Sequence, residues 1–172
     1  MELLERFARG DLEAFEALFR QFQGEVYGWV VRIVRNRAAA EDVTVEAFWR
    51  IYRAHARFDP ARSFGAWARR IATNEALDYV KTARRDVSLS ESAPLATAQD
   101  LGVDPQVQRA IRRAFDALPA KLRVAATLAL IEERPYEEIA EALGISADAV
   151  KVRVFRAVRK LRANLKELGV EP

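Results

Sequence analysis

The chain has 172 residues, 51% hydrophobic and 31% charged, with a formal net charge of +3 and a sequence pI near 9.4. It has no cysteine, so neither a disulfide nor a thiolate metal site is available, and a single histidine, His55, argues against a histidine-built metal centre or catalytic dyad. No basic-then-apolar leader opens the sequence and no apolar run is long enough to span a bilayer, so a folded cytoplasmic protein of one or two small domains is expected, with no cofactor and no membrane insertion.

Glu2 to Arg9 reads as a short helix, broken by Gly10-Asp11, where Asp11 caps the next helix. From Leu12 to about Arg35, apolar residues recur at three- and four-residue steps (Phe15, Leu18, Phe22, Val26, Trp29, Ile33), the mark of a long amphipathic core helix. Asn36-Arg37 reads as a turn. Ala38 to about Ala56 reads as a further helix, with Val43, Ala47, Phe48, Ile51 and Tyr52 toward a core and Glu41, Asp42 and Glu46 in its N-terminal half, where acids suit the helix dipole. Val45 and Trp49 give this helix a second apolar face, either a partner surface or one covered by the chain itself. His55 reads as a surface or capping residue.

Arg57 to Ser63 is a loop by its Asp59-Pro60 pair. Phe64 to about Arg85 is a third long helix, apolar at Phe64, Trp67, Ala68, Ile71, Ala72 and Ala76, with cations at Arg69, Arg70, Lys81, Arg84 and Arg85. Aromatic rings beside cations suit single-stranded nucleic acid, where bases stack and phosphates pair. Core packing is the plainer role for Phe64 and Trp67. Ser88 to Pro105 then lacks Lys and Arg, carries Glu91, Asp100 and Asp104, and is rich in Ser, Ala and Pro, which reads as a linker between two domains. Helices over Gln106 to Ala117 and Ala120 to Glu133 complete a four-helix domain with a last pair of helices near the C-terminus.

That pair carries the most information. Tyr136 to Leu143 is a short helix, Gly144 suits a turn needing positive φ, and Ser146 caps a second helix. This order is the helix-turn-helix pattern. In the second helix Val150, Val154, Ala157, Leu161 and Leu165 fall on one face, with Val152, Phe155, Arg156 and Arg159 opposite and Lys151 and Arg162 at its margins. Between Ala147 and Ala163 there are six cations (Lys151, Arg153, Arg156, Arg159, Lys160, Arg162) against one acid, Asp148. Cations beside apolar side chains are what major-groove reading employs, the first for guanine edges and phosphates, the second for thymine methyls. An ordinary basic amphipathic helix docked on a neighbour is the plainer alternative.

In this order and spacing, A-E-D-V-T-V-E-A-F-W-R-I-Y, R-F-D-P-A-R-S-F-G-A-W-A-R-R-I-A-T-N-E-A-L-D-Y, A-L-P-A-K-L-R-V-A-A-T-L-A-L and Y-E-E-I-A-E-A-L-G-I-S-A-D-A-V-K-V-R-V-F-R-A resemble the extracytoplasmic-function (ECF, group 4) sigma factors of the bacterial sigma-70 family. The resemblance implies an all-α fold of two helical domains joined by a flexible acidic linker, divided as residues 1–87, 88–105 and 106–172. It implies a subunit without catalysis of its own, which binds core RNA polymerase, recognises the −10 and −35 promoter elements and promotes initiation.

By the same resemblance, Asp42, Val45, Glu46, Phe48 and Trp49 would dock on the polymerase clamp. Phe58, Arg62, Ser63, Phe64, Trp67, Arg70 and Asn74 would meet the single-stranded −10 element, with one base flipped into a pocket at an unstacking cost of about a few kcal/mol. Asn74 and Asp78 match polar family positions, as support for the helix or as contacts to the strand. Lys151, Val152, Arg153, Phe155, Arg156 and Arg159 would enter the major groove of the double-stranded −35 element. An anti-sigma protein is a further partner the resemblance leaves open. Three positions depart from the family: Val45 replaces a usual Gln, Val152 a small polar residue, and Pro135 a Ser or Thr cap. Two other classes compete: a free-standing helix-turn-helix regulator, which would leave the N-terminal domain idle, and a nucleic-acid enzyme, for which no phosphate-cradling glycine loop or metal cluster is visible.

Overall fold

A computed structural model describes residues 1–85 and 104–170, and the backbone alone at 84 and 85. The stretch read as the body of the linker, 88–103, lies outside the described residues. Among those described the fold is all-helical, in two compact units, one built from the N-terminal helices and one from the C-terminal helices.

The N-terminal unit comprises α1 (Glu2–Ala8), α2 (Leu12–Val34), α3 (Arg37–Arg53), a 3-10 turn (His55–Arg57) and α4 (Phe64–Arg85). Local chemistry sets each start. The Asp11 carboxylate accepts the Ala14 amide at 3.1 Å and pairs with Arg6 at 2.7 Å, two contacts that cap α2 and tie α1 to it. The Arg6 hydrogen bond, then the backbone one, hold the Asp11 carboxyl below its ordinary range. The Asn36 side chain caps α3 by accepting the Ala39 amide at 2.9 Å. The expected turn at Asn36-Arg37 is thus narrower. Arg35, buried and left-handed at φ 61°, ends α2, and Arg37 already belongs to α3.

α2, α3 and α4 pack on one another, and α1 lies against α2 and the 3-10 turn. Leu18, Val26, Val30 and Ile33 of α2 meet a core of small residues from α3 and α4, including Ala40, Ala47, Ala68, Ala72 and Ala76, all fully or almost fully buried. Short side chains let helix axes approach closely. One polar link crosses this core: the Trp29 indole N–H donates to the Thr73 hydroxyl at 2.8 Å, and that hydroxyl donates to the Arg69 carbonyl at 2.7 Å.

The C-terminal unit comprises α5 (Pro105–Asp116), α6 (Ala120–Ala126), a π-helical turn (Thr127–Ile131), α7 (Tyr136–Leu143) and α8 (Ala147–Glu167). α5 begins one residue before the expected Gln106 because Pro105 occupies the first helical position, where its missing N–H costs nothing, and Asp104 caps it through the Gln106 amide at 2.8 Å. The helix expected over Ala120 to Glu133 is corrected. It widens after Ala126 into the π turn, whose last bond runs from the Glu132 amide to the Thr127 carbonyl at 3.0 Å, and Glu133 then reverses the chain at φ 50°. Ala114, Phe115, Leu118, Ala126, Ala157 and Leu161 form the core, with Ile111, Leu122, Ile131 and Leu165 packed around it. The Asn164 side-chain amide donates to the Ala114 carbonyl at 3.1 Å and pins α8 to α5.

Candidate nucleic-acid and polymerase interfaces

The approach to α8 is built from backbone hydrogen bonds. The Pro135 carbonyl accepts the amides of Glu138 and Ile139, both at 3.1 Å, at the start of α7. Gly144 ends it at φ 67°, a conformation any Cβ would strain, while the Ile145 amide returns to the Ala140 carbonyl at 3.0 Å. Ser146 then accepts the Ala149 amide at 3.1 Å and starts α8. α8 buries Val150, Val154, Ala157 and Leu161, as the periodicity requires. Its outer face shows Val152 at 46% and Phe155 at 65% exposure beside exposed Lys151, Arg156 and Arg159, with Arg153 half-buried. Apolar side chains so exposed among cations have nothing to gain from water, and they match the needs of a base edge and its flanking phosphates.

A second face belongs to α3. Asp42, Val45, Glu46 and Trp49 follow one another at helical spacing and are all exposed, Val45 at 67% and Trp49 at 54%. Phe48 is only 2% exposed and stacks edge-on against Phe19, so it supports this face from behind. At the margin, Arg50 pairs with Glu46 at 3.5 Å and with Glu75 of α4 at 2.7 Å. Burial raises the Glu75 carboxyl; Arg50 opposes that shift, while Asp78 and Glu46 add to it.

The third region is the loop before α4. Asp59 closes it, accepting the Ala61 amide at 3.0 Å on its side chain and the Arg62 amide at 2.9 Å on its carbonyl. Ser63 caps α4 through the Ala66 amide at 3.3 Å. Arg62, Ser63, Arg70 and Asn74 are exposed and Trp67 half-buried. The Phe58 and Phe64 rings are buried, in an aromatic cluster with Trp67. The link through Trp29, Thr73 and Arg69, which ties α2 to α4, was not singled out from sequence. A Thr four residues after an Arg was its only trace.

Among the described residues no group of three or more His, Cys, Asp or Glu side chains is placed to hold a metal, and no helix is long and apolar enough to cross a membrane.

Residues 18–86 match the family model for sigma-70 region 2, and residues 108–161 that for sigma-70 region 4. RNA polymerase sigma factor CarQ of Myxococcus xanthus is 35% identical, over 98% of each chain. The Escherichia coli K12 ECF sigma-E factor is 32% identical over 90% of this chain and 88% of its own. The chain belongs to the extracytoplasmic-function sigma factors of the sigma-70 family. ECF sigma factor SigW of Bacillus subtilis is 29% identical over 96% of both chains. Among solved structures, CnrH in complex with the cytosolic domain of CnrY superposes with a TM-score of 0.62 at 25% identity, covering 96% of both chains. As a sigma factor the protein is a transcription-initiation subunit and not an enzyme, and its partners are core RNA polymerase and promoter DNA.

Proposed function

We propose that this sigma factor is a two-domain, group 4 member acting in the cytoplasm, with residues 1–87 as region 2 and 106–172 as region 4. The α3 stripe of Asp42, Val45, Glu46 and Trp49 docks on core polymerase. Arg62, Ser63, Trp67, Arg70 and Asn74 meet the single-stranded −10 element. Lys151, Val152, Arg153, Phe155, Arg156 and Arg159 read the −35 duplex. The observation that carries the proposal is α8, the second helix of the helix-turn-helix, capped by Ser146, which leaves Phe155 and Val152 in solvent among cations. An anti-sigma protein is a further partner on this reading, supported by the solved complex of CnrH with a CnrY domain.

Run-off transcription with purified bacterial core polymerase on a pool of promoter fragments tests it. Initiation that depends on the protein, selects sequences and declines for Phe155→Ala and Arg62→Ala is the expected result. Initiation indifferent to both substitutions would refute the assignment of these surfaces.

A further inference from the structure

The family match in the N-terminal half starts at residue 18, so α1 lies outside it. α1 nonetheless places one side chain at the centre of the unit's aromatic cluster. Phe7 is completely buried. Its ring centroid lies 5.3 Å from Phe64, 5.7 Å from Phe58 and 6.1 Å from Trp67, all three approached edge-on, and 6.3 Å from Phe15. Phe58 and Phe64 flank the loop that carries Arg62 and Ser63, and they contact each other at 5.6 Å. The two ends of that loop are therefore clamped on one ring supplied by a different helix.

α1 is itself held at its C-terminal end. Its last residue, Ala8, offers a carbonyl to His55 Nδ1 at 3.1 Å, in the 3-10 turn just before the loop. Arg6 reaches Asp11. Gly10, at φ 87°, lets the chain turn under the His55 ring, where a Cβ would lie 3.0 Å from that ring. His55, expected at the surface or as a cap, thus serves as a cap for a helix other than its own.

We infer that α1 is a positioning element for promoter melting: through Phe7 it fixes the aromatic floor on which the loop from Phe58 to Phe64 presents Arg62, Ser63 and Trp67 to the unpaired −10 strand. Edge-to-face ring pairs fix direction as well as contact, so replacing the hub by an aliphatic side chain keeps apolar burial and loses orientation. Phe7 acts through these residues and touches no DNA. The inference rests on the assignment of the loop to the −10 strand.

The test uses holoenzyme reconstituted from full-length protein and core polymerase. The DNA probe is a single-stranded oligonucleotide spanning the −10 region of a promoter that the wild-type holoenzyme selects from a randomised pool. Phe7→Leu keeps the site filled and carries the test; Phe7→Ala serves as the larger perturbation if its helical circular dichroism is retained. For Phe7→Leu, affinity for the oligonucleotide and the rate of open-complex formation should fall about tenfold, with affinity for core polymerase within twofold of wild type. Equal losses in core affinity and strand affinity would mean a merely structural ring and overturn the inference. So would unchanged strand affinity in Phe7→Leu while Arg62→Ala weakens it. If Arg62→Ala and Asn74→Ala both leave strand affinity untouched, the −10 assignment of the loop fails, and the inference falls with it.

Discussion

Adjacent aromatic residues on α3 offer a strong separation of scaffold from surface. Trp49 is 54% exposed and Phe48 is 2% exposed, so the same truncation should act on different quantities. A Trp side chain has roughly 200 Å² of surface. With about half of it covered, at roughly 25 cal/mol per Å², the ceiling on lost burial is about 2.5 kcal/mol, and residual burial in the unfolded chain lowers it to about 1–2 kcal/mol. Phe48→Ala loses a fully covered ring and leaves a cavity among Phe19 and the α2–α4 core, which costs about 3–5 kcal/mol. Binding should rank the two the other way. As a central aromatic anchor, Trp49 should contribute about 2 kcal/mol or more to the polymerase interface, a loss near 30-fold in Kd. The assay is urea denaturation of the full-length variants beside competition binding to core polymerase under conditions where each is folded. Trp49→Ala should lose core affinity with modest loss of stability, and Phe48→Ala the reverse. Equal destabilisation of the two, or wild-type core affinity in Trp49→Ala, would refute the division of α3 into a buried and a docking face.

Arg156→Ala should weaken binding to −35 duplex and reduce the slope of log K against log salt by about 0.9, with thermal stability almost unchanged; an unaltered slope in a salt titration would place Arg156 away from the phosphates. Thr73→Val removes the acceptor of the buried Trp29 indole and should destabilise the N-terminal unit by about 1–3 kcal/mol in chemical denaturation, whereas equal stability would deny the bond its role. Because burial raises Glu75 above its unfolded value of 4.5, the unfolded chain binds fewer protons just above that pH; stability is full below it and is lost as pH rises through the folded value. Glu75→Gln should flatten this loss in melting curves taken from pH 4.5 upward, and an unchanged profile would rule the carboxyl out as its source.

The helices were legible because each buries one face, and a 3.6-residue period over seventeen or more residues leaves little ambiguity for α2, α3 and α4. Caps were legible at Asp11 and Ser146, where the side chain bonds within three residues of itself. What stayed hidden depends on distant partners. A core role for Phe64 could be read from sequence, but not that Phe58 and Phe64 share a cluster centred on Phe7, some fifty residues earlier. His55 could not be matched to Ala8 for the same reason. The π turn left no trace because five residues are too few to reveal a changed period. For the α8 surface the sequence went further, since its inner face was unambiguous and the outer one followed by subtraction.

The small net charge of +3 conceals two surfaces of opposite sign, and their responses to salt should differ. α8 exposes Lys151, Arg156, Arg159, Lys160 and Arg162, while the α3 stripe sets Asp42 and Glu46 around Val45 and Trp49. DNA binding releases condensed counterions. If three of those cations meet phosphates the slope is about −2.7, and −35 duplex affinity falls about 40-fold between 50 and 200 mM salt. The polymerase face has two carboxylates and an apolar centre. Exposed ion pairs of that kind contribute at most about 1 kcal/mol each and screen over roughly 10 Å, whereas covering Trp49 and Val45 does not depend on ionic strength in this range. Over the same interval core affinity should therefore change by only several-fold, so the sigma factor stays on polymerase at salt concentrations that release the duplex. A core affinity that falls as steeply as duplex affinity would mean that charge, and not Trp49, dominates the polymerase contact, and would remove the physical reason for placing that contact on α3.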